Sequence, residues 1–125
     1  MEALTNAEEK VMQIVWKVRK GFVKDFLAEI SEPKPSYTTV STIIRILENK
    51  GFINHKAYGK THEYFPIVSK MAYRKFIFSR MLKDYFEDSY GNVMSYMVSE
   101  ETLSEADIAK LEDLINDAEQ QAGNE

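Results

Sequence analysis

The chain of 125 residues contains no cysteine. That excludes a disulfide framework, a thiolate nucleophile and any Cys-based zinc or iron–sulfur site. No apolar run approaches the roughly 18 residues of a membrane span, so membrane insertion is not expected. The start, "MEALTNAEEK", is acidic and has no apolar core, so it does not read as a secretory signal. A cytoplasmic location is the natural expectation. There is no HExxH pair, no phosphate-binding loop and no spacing that supports a Ser-His-Asp arrangement. Acidic groups such as Asp84 with Glu87 and Asp88 read as a solvated helix face. No enzyme is expected, and no cofactor.

What is present begins with charge. The hydrophobic fraction of 44% supports a real core, in one domain or a domain with a small appended element. The net charge of −4 hides a split. Residues 1–75 hold thirteen Lys/Arg against eight Asp/Glu, and residues 76–125 hold three against twelve. Such segregation points to a basic working surface and an acidic remainder.

The stretch "SYTTVSTIIRILENKG", from Ser36 to Gly51, poses a conflict between propensity and period. Its β-branched and aromatic residues favour a strand. As a strand, however, it would mix apolar and polar residues on both faces. As a helix, Val40, Ile43, Ile44 and Leu47 fall at i, i+3, i+4 and i+7 on one stripe. Lys50 and Gly51 supply a helical stop. The period predicts a helix whose outer face carries small hydroxyls and one arginine in place of the usual Glu and Lys.

Around it, Thr5 and Glu8 form a capping box for a first helix with Val11, Ile14, Val15 and Val18 inward and Trp16 at the edge of that stripe. A second helix is expected from about Val23 to Ile30, ended by "SEPKPS". "FINHKAYGKTHEYFPIV" reads as two strands around a turn at Tyr58-Gly59, with Ala57 near Lys60 and His55 near His62. Pro66 restricts the second strand to an edge or to its own end. A long helix follows from Ser69, broken at "SYGN", then a short Met-rich helix "VMSYMVS". The last helix is capped by Ser104, with Ile108, Leu111, Leu114 and Ile115 as its stripe and "AGNE" as a frayed end.

Three helices, a hairpin and then C-terminal helices make a mainly α chain with a small β-hairpin, the winged form of the helix-turn-helix. In that form the third helix, here from about Thr38 to Asn49, enters the major groove of DNA and the wing lies along the backbone. Small hydroxyls at its start let a helix sit deep, and their oxygens bond phosphates or base edges. Candidate DNA contacts are Tyr37, Thr38, Thr39, Ser41, Thr42 and Arg45 on the helix, and Lys56, Tyr58, Lys60 and His62 on the wing. His55, His62 and Glu63 fall short of a metal ligand set, so packing or DNA contact is their expected role. The long helix carries Phe76, Phe78, Met81, Leu82 and Tyr85 on more than one side, which calls for a second surface, most simply a partner subunit. Met94 and Met97, with Met81, read as core filler or interface, and a ligand pocket between the C-terminal helices stays open.

"LTNAEEKVMQIVW", "TVSTIIRILENKGFI" and "GKTHEYFPIVS" together resemble the penicillinase-repressor (BlaI/MecI/CopY) family, over nearly the whole chain and including "LSEADIAKLEDLI". The resemblance implies a homodimeric winged-helix repressor. Residues 1–70 would bind a double-stranded operator with dyad symmetry, and the helices of 71–125 would form the dimer, adding Met94, Met97, Ile108, Leu111 and Leu114 to its interface. It further implies derepression by cleavage in the C-terminal region, set off by a membrane-bound metalloprotease sensor in an antibiotic response.

The chain departs from the family's pattern in three places. Copper-responsive relatives use a C-terminal Cys cluster, and here there is none. The Asn-Phe bond cut in the antibiotic-resistance repressors corresponds to Tyr96-Met97, which leaves the cleavage point open. Many relatives place Arg directly before the Leu of the third helix, where this chain has Ile46 preceded by Arg45. Two other readings stay open. One is a small-molecule-sensing repressor of the MarR type, which needs a pocket between wing and dimer helices. The other is a winged-helix module that binds protein.

Overall fold

The computed structural model of the chain describes residues 1–100 and 103–123, without the side chains of 115, 118, 119 and 121–123; Ile115 of the expected stripe thus lies outside the described residues. The chain divides into two compact units, Met1–Phe78 and Ser79–Glu125.

In the first unit, α1 (Asn6–Val18) begins with the capping box read from the sequence: Thr5 accepts from the Glu8 amide at 3.2 Å, and Glu8 accepts from the Thr5 amide at 3.1 Å. It ends at Arg19, whose φ of +77° turns the chain out of the helix. α2 (Val23–Ala28) is shorter than expected by two residues. Asp25 accepts from the Phe22 amide at 2.8 Å and opens it. At the other end the Lys34 ammonium takes the Leu27 and Ala28 carbonyls at 3.3 and 3.1 Å, closing the helix before Ile30. α3 (Tyr37–Asn49) is the helix that the period required. Its N-cap is Ser36, which accepts from the Thr39 amide at 3.1 Å. Gly51, at φ +84°, follows the C-cap Lys50 in the left-handed position that glycine takes at least cost.

The core joins α1, α2 and α3 to the strands. Val11, Met12 and Val15 of α1, Phe26 of α2, Val40, Ile44 and Leu47 of α3, and Phe52 and Ile53 are buried together. The start of α4 (Lys70–Phe86) belongs to the same core. There Tyr73 is buried, and its hydroxyl oxygen accepts from the Leu4 amide at 2.9 Å. Trp16 donates its indole N–H to the Val68 carbonyl at 2.9 Å.

The strands β1 (Ile53–Tyr58) and β2 (Thr61–Pro66) form an antiparallel hairpin, and Pro66 does end the second. The expected register is corrected by two residues. Ala57 pairs with His62, His55 with Tyr64, and Tyr58 with Thr61 across the two-residue loop Gly59-Lys60. Gly59 takes φ +63°, the first-position glycine that such loops favour. A shift of two keeps every side chain on its face. His55 and His62 therefore remain neighbours, now diagonal, with rings stacked at 4.0 Å and 5°. A third short pairing fixes the hairpin to the helices: Gly21 and Tyr64 exchange both backbone hydrogen bonds, at 3.0 and 2.7 Å. A Cβ at Gly21 would stand 3.1 Å from Asp25 Cβ, a close approach that a side chain here would have to push back by a few tenths of an ångström.

In the second unit the helix break falls earlier than "SYGN". Glu87 and Asp88 take positive φ and end α4, and Ser89 caps α5 (Tyr90–Ser99) by accepting from the Asn92 amide at 3.1 Å. A capping serine after two left-handed residues starts a new helix, and Gly91 is tolerated inside its first turn. α6 (Glu105–Gly123) opens on Ser104, which exchanges hydrogen bonds with Asp107. Of the expected frayed end, Ala122 and Gly123 are helical backbone, and the last two residues lie outside the described ones.

One ion pair ties the start of α1 to the end of α3. Glu8 is 6% exposed, and its carboxylate receives the Lys50 ammonium at 2.6 and 3.1 Å. That hydrogen bond, with help from the Thr5 amide, holds the Glu8 carboxyl below its ordinary 4.5 despite the opposing effect of burial. A lowered folded value means that the pair's stabilisation is present above about pH 4.5 and is lost as pH falls through the folded value. The Lys50 ammonium is raised above 10.5 by the same bond, so its share is present below that pH and is lost in strong alkali. Glu8→Gln is expected to cost about 1.5–3 kcal/mol at pH 7. In urea titrations the variant and the parent should converge as the pH drops below 4.5; a constant difference down to pH 3 would show that the charge is not what stabilises.

Candidate nucleic-acid interface

Burial of one stripe of α3 determines what the opposite side offers. With Val40, Ile44 and Leu47 fully covered, Thr38, Thr39, Thr42 and Arg45 are exposed and Ser41 is half-buried. The hydroxyls are already partly committed. Thr42 Oγ1 donates to the Thr38 carbonyl at 2.9 Å, and Thr39 Oγ1 shares a hydrogen bond with Ser36 Oγ at 2.9 Å. Arg45 reaches back to Ser41 Oγ at 3.3 Å, a weak contact that a better acceptor displaces.

Between this helix and the hairpin lies an open groove of about 550 Å³. Tyr37, Ser41 and Arg45 line it from α3, and Lys60, Thr61, His62 and Tyr64 from the hairpin. Phe22, Val23 and Lys24 close the third side. Three cations face it, and none of the lining residues is acidic. Glu48 is the one carboxylate of α3, and it is engaged by His55 Nδ1, so it does not confront an anion in the groove. Tyr64, buried under the groove, has its hydroxyl raised above 10.0 by that burial and stays neutral.

The groove thus unites five of the expected contacts: Tyr37, Ser41, Arg45, Lys60 and His62. Thr38, Thr39 and Thr42 are exposed on α3 outside it, and Lys56 and Tyr58 are exposed on the hairpin outside it. The Lys56 ammonium lies 5.3 Å over the Tyr58 ring, whose edge meets Phe22 at 6.1 Å. His62 is half-buried by its stack on His55. Lys24 was missed by sequence reading, although "RKGFVK" places three cations in six residues at this junction. Among the described residues no group of three His, Asp or Glu side chains is placed to hold a metal ion.

The residues expected at a dimer interface fall into distinct settings. Phe76 packs against the core of the first unit, its ring 6.2 Å from that of Tyr73. Leu82 is buried within the chain. Met94, Met97, Ile108 and Leu111 are half-buried, and Phe78 and Met81 are exposed. Tyr85 is 79% exposed and Leu114 56%. Tyr96 and Met97 lie inside α5, where the Tyr96 ring meets Phe86 at 5.8 Å.

Three helices, a hairpin packed beside the third and a cationic groove between them define a winged helix-turn-helix protein. Comparison with protein families agrees. The penicillinase repressor family model matches residues 4–117. The chain belongs to that family, one of DNA-binding transcriptional repressors and not of enzymes. The chain is 25% identical over 114 residues to the methicillin resistance regulatory protein MecI of Staphylococcus aureus (strain N315), covering 90% of this chain and 93% of that one. It is 22% identical over 115 residues to the penicillinase repressor of Bacillus licheniformis, covering 91% and 90%. Among solved structures, the CopR repressor superimposes on 53% of this chain and 97% of its own, at 28% identity and a TM-score of 0.45.

Arg45→Ala should weaken binding to the specific site by about 1–3 kcal/mol if the guanidinium reads a base edge. A smaller loss, uniform across sequences and with a flatter salt dependence, would assign it to phosphate, and no loss on any DNA would remove it from the interface. Lys60→Ala and Lys24→Ala should each act in the phosphate manner, lowering the salt slope by about 0.9 without changing base preference. Titrations at several salt concentrations on specific and mixed-sequence duplexes separate these outcomes.

Proposed function

We propose that the protein binds a dyad-symmetric operator as a homodimer, with α3 in the major groove and the hairpin along the adjacent phosphates. The observation that carries this reading is the shared groove: Arg45, Lys60 and Lys24 converge on one face, with no carboxylate among its lining residues. The first seventy or so residues do the binding, and the helices from about residue 71 onward pair the subunits. Exposed Tyr85 and Leu114, together with Phe78 and Met81, supply apolar surface for that pairing. Two copies related by a dyad read half-sites about one helical turn apart, or a multiple of it.

Release by regulated proteolysis belongs to the same reading, with a membrane-bound metalloprotease sensor as the partner. Tyr96-Met97 marks the region to be cut, and because this bond lies within α5, cutting it requires the end of that helix to open. Among the described residues no helix is long and apolar enough to cross a membrane.

The test is selection of genomic DNA fragments by the purified protein at two salt concentrations. The expected result is an enriched dyad upstream of a few genes, retained at the higher salt. Salt-sensitive binding with no motif would leave only a non-specific DNA binder, and no binding at low salt would overturn the reading.

A further inference from the structure

We propose that Ile46 is a specificity-determining residue that reads the C5-methyl group of thymine. It would do so at the end of an apolar ridge along the flank of α3 opposite the groove. The inference rests on the operator-binding reading above and adds to it the chemistry of one base contact.

The exposed surface of α3 has two flanks. Tyr37, Ser41 and Arg45, spaced four apart, line the groove and are polar or cationic. Thr39, Thr42 and Ile46 fall at i, i+3 and i+7 along the other flank, and none of them lines the groove. On this second ridge both hydroxyls are engaged within the chain. Thr42 Oγ1 is bonded to the Thr38 carbonyl, and Thr39 Oγ1 to Ser36 Oγ, both at 2.9 Å. A threonine whose oxygen turns back onto its own chain offers its γ-methyl to a partner. Ile46 continues the ridge with apolar atoms alone. It is 37% exposed, while the packing stripe of the helix is complete without it in Val40, Ile44 and Leu47.

A lone exposed isoleucine is ordinary on a protein surface. This one stands on the helix that the operator-binding reading places in the major groove, beside two threonines whose hydroxyls are engaged. Only thymine presents a methyl group in the major groove, and side chains meet it by apolar contact. Cytosine at the same place would offer no methyl group to Ile46 and would turn its exocyclic amine toward a side chain with no acceptor, a loss of hydrogen bonding to water. The ridge therefore suits thymine and disfavours cytosine.

The experiment uses the full-length protein and a duplex selected by it from a randomised library. Each thymine is then replaced singly by deoxyuridine, which lacks only the methyl group, and affinity is measured. At one position in each half-site, uracil should weaken binding by about 3–5-fold, as expected for one buried methyl. Ile46→Ser should abolish that difference, whereas Arg45→Ala, though weaker overall, should keep it. Equal affinity for thymine and uracil at every position would overturn the inference, as would a difference that survives Ile46→Ser. Since the uracil exchange leaves the protein untouched, misfolding does not enter. Failure to select any motif, with no salt-dependent affinity, would instead sink the operator reading and this inference with it.

Discussion

Burial of Val40, Ile44 and Leu47 orients everything that follows. α3 is built from residues that favour strands, and its helical state depends on covering that stripe with α1 and α2 rather than on intrinsic propensity. Once the stripe is inside, the rotation of the helix has no freedom left. The hydroxyls, Arg45 and Ile46 must point outward. A one-residue rotation would expose Ile44 and bury a hydroxyl or a charge, and both are costly. The working face is thus set by the packing of its opposite side.

Three devices hold this face in register with the hairpin. The Glu8–Lys50 pair fastens the end of α3 to the start of α1, where the same carboxylate also completes a helix cap. The Gly21–Tyr64 exchange of backbone hydrogen bonds fastens β2 to the turn between α1 and α2. The contact between Glu48 and His55 bridges the last turn of α3 to β1 and takes a carboxylate out of play. The first two join residues more than forty apart in sequence, and the third joins neighbouring elements seven residues apart. The result is a cationic surface carried on packed elements, where contact geometry is better defined than on a free loop.

The second unit is built on different terms. Its helices are short on buried apolar positions, with Leu82 and Val93 the covered ones among the described residues, and aromatic and aliphatic side chains stay at the surface. α5 is fitted between a left-handed pair, Glu87 and Asp88, and a residue that caps it at Ser89. The acidic excess of the chain lies with this second unit, and the positive excess with the helices and hairpin of the first.

Much of this was legible in the sequence. The capping box at Thr5 and Glu8, the stripe of α3, the stop at Gly51 and the strand end at Pro66 are local, and each is a short-range rule read within a turn or two. The charge split and the hydroxyl face pointed to DNA for the same reason, since composition and period need no tertiary information. Other features depended on pairing. The hairpin register slipped by two because Tyr58-Gly59 and Gly59-Lys60 are both plausible turn centres, and the Gly21–Tyr64 bridge decides between them only in the folded chain. The end of α4 at Phe86 came from the backbone conformations of Glu87 and Asp88, which no residue there announces. Lys24 entered the groove because the turn after α1 folds against β2. The sequence by itself determined which helices form and which face of α3 is wet, because side-chain period and capping act between near neighbours. Only the tertiary structure decided which distant cations share a groove, because that depends on contacts between residues far apart along the chain.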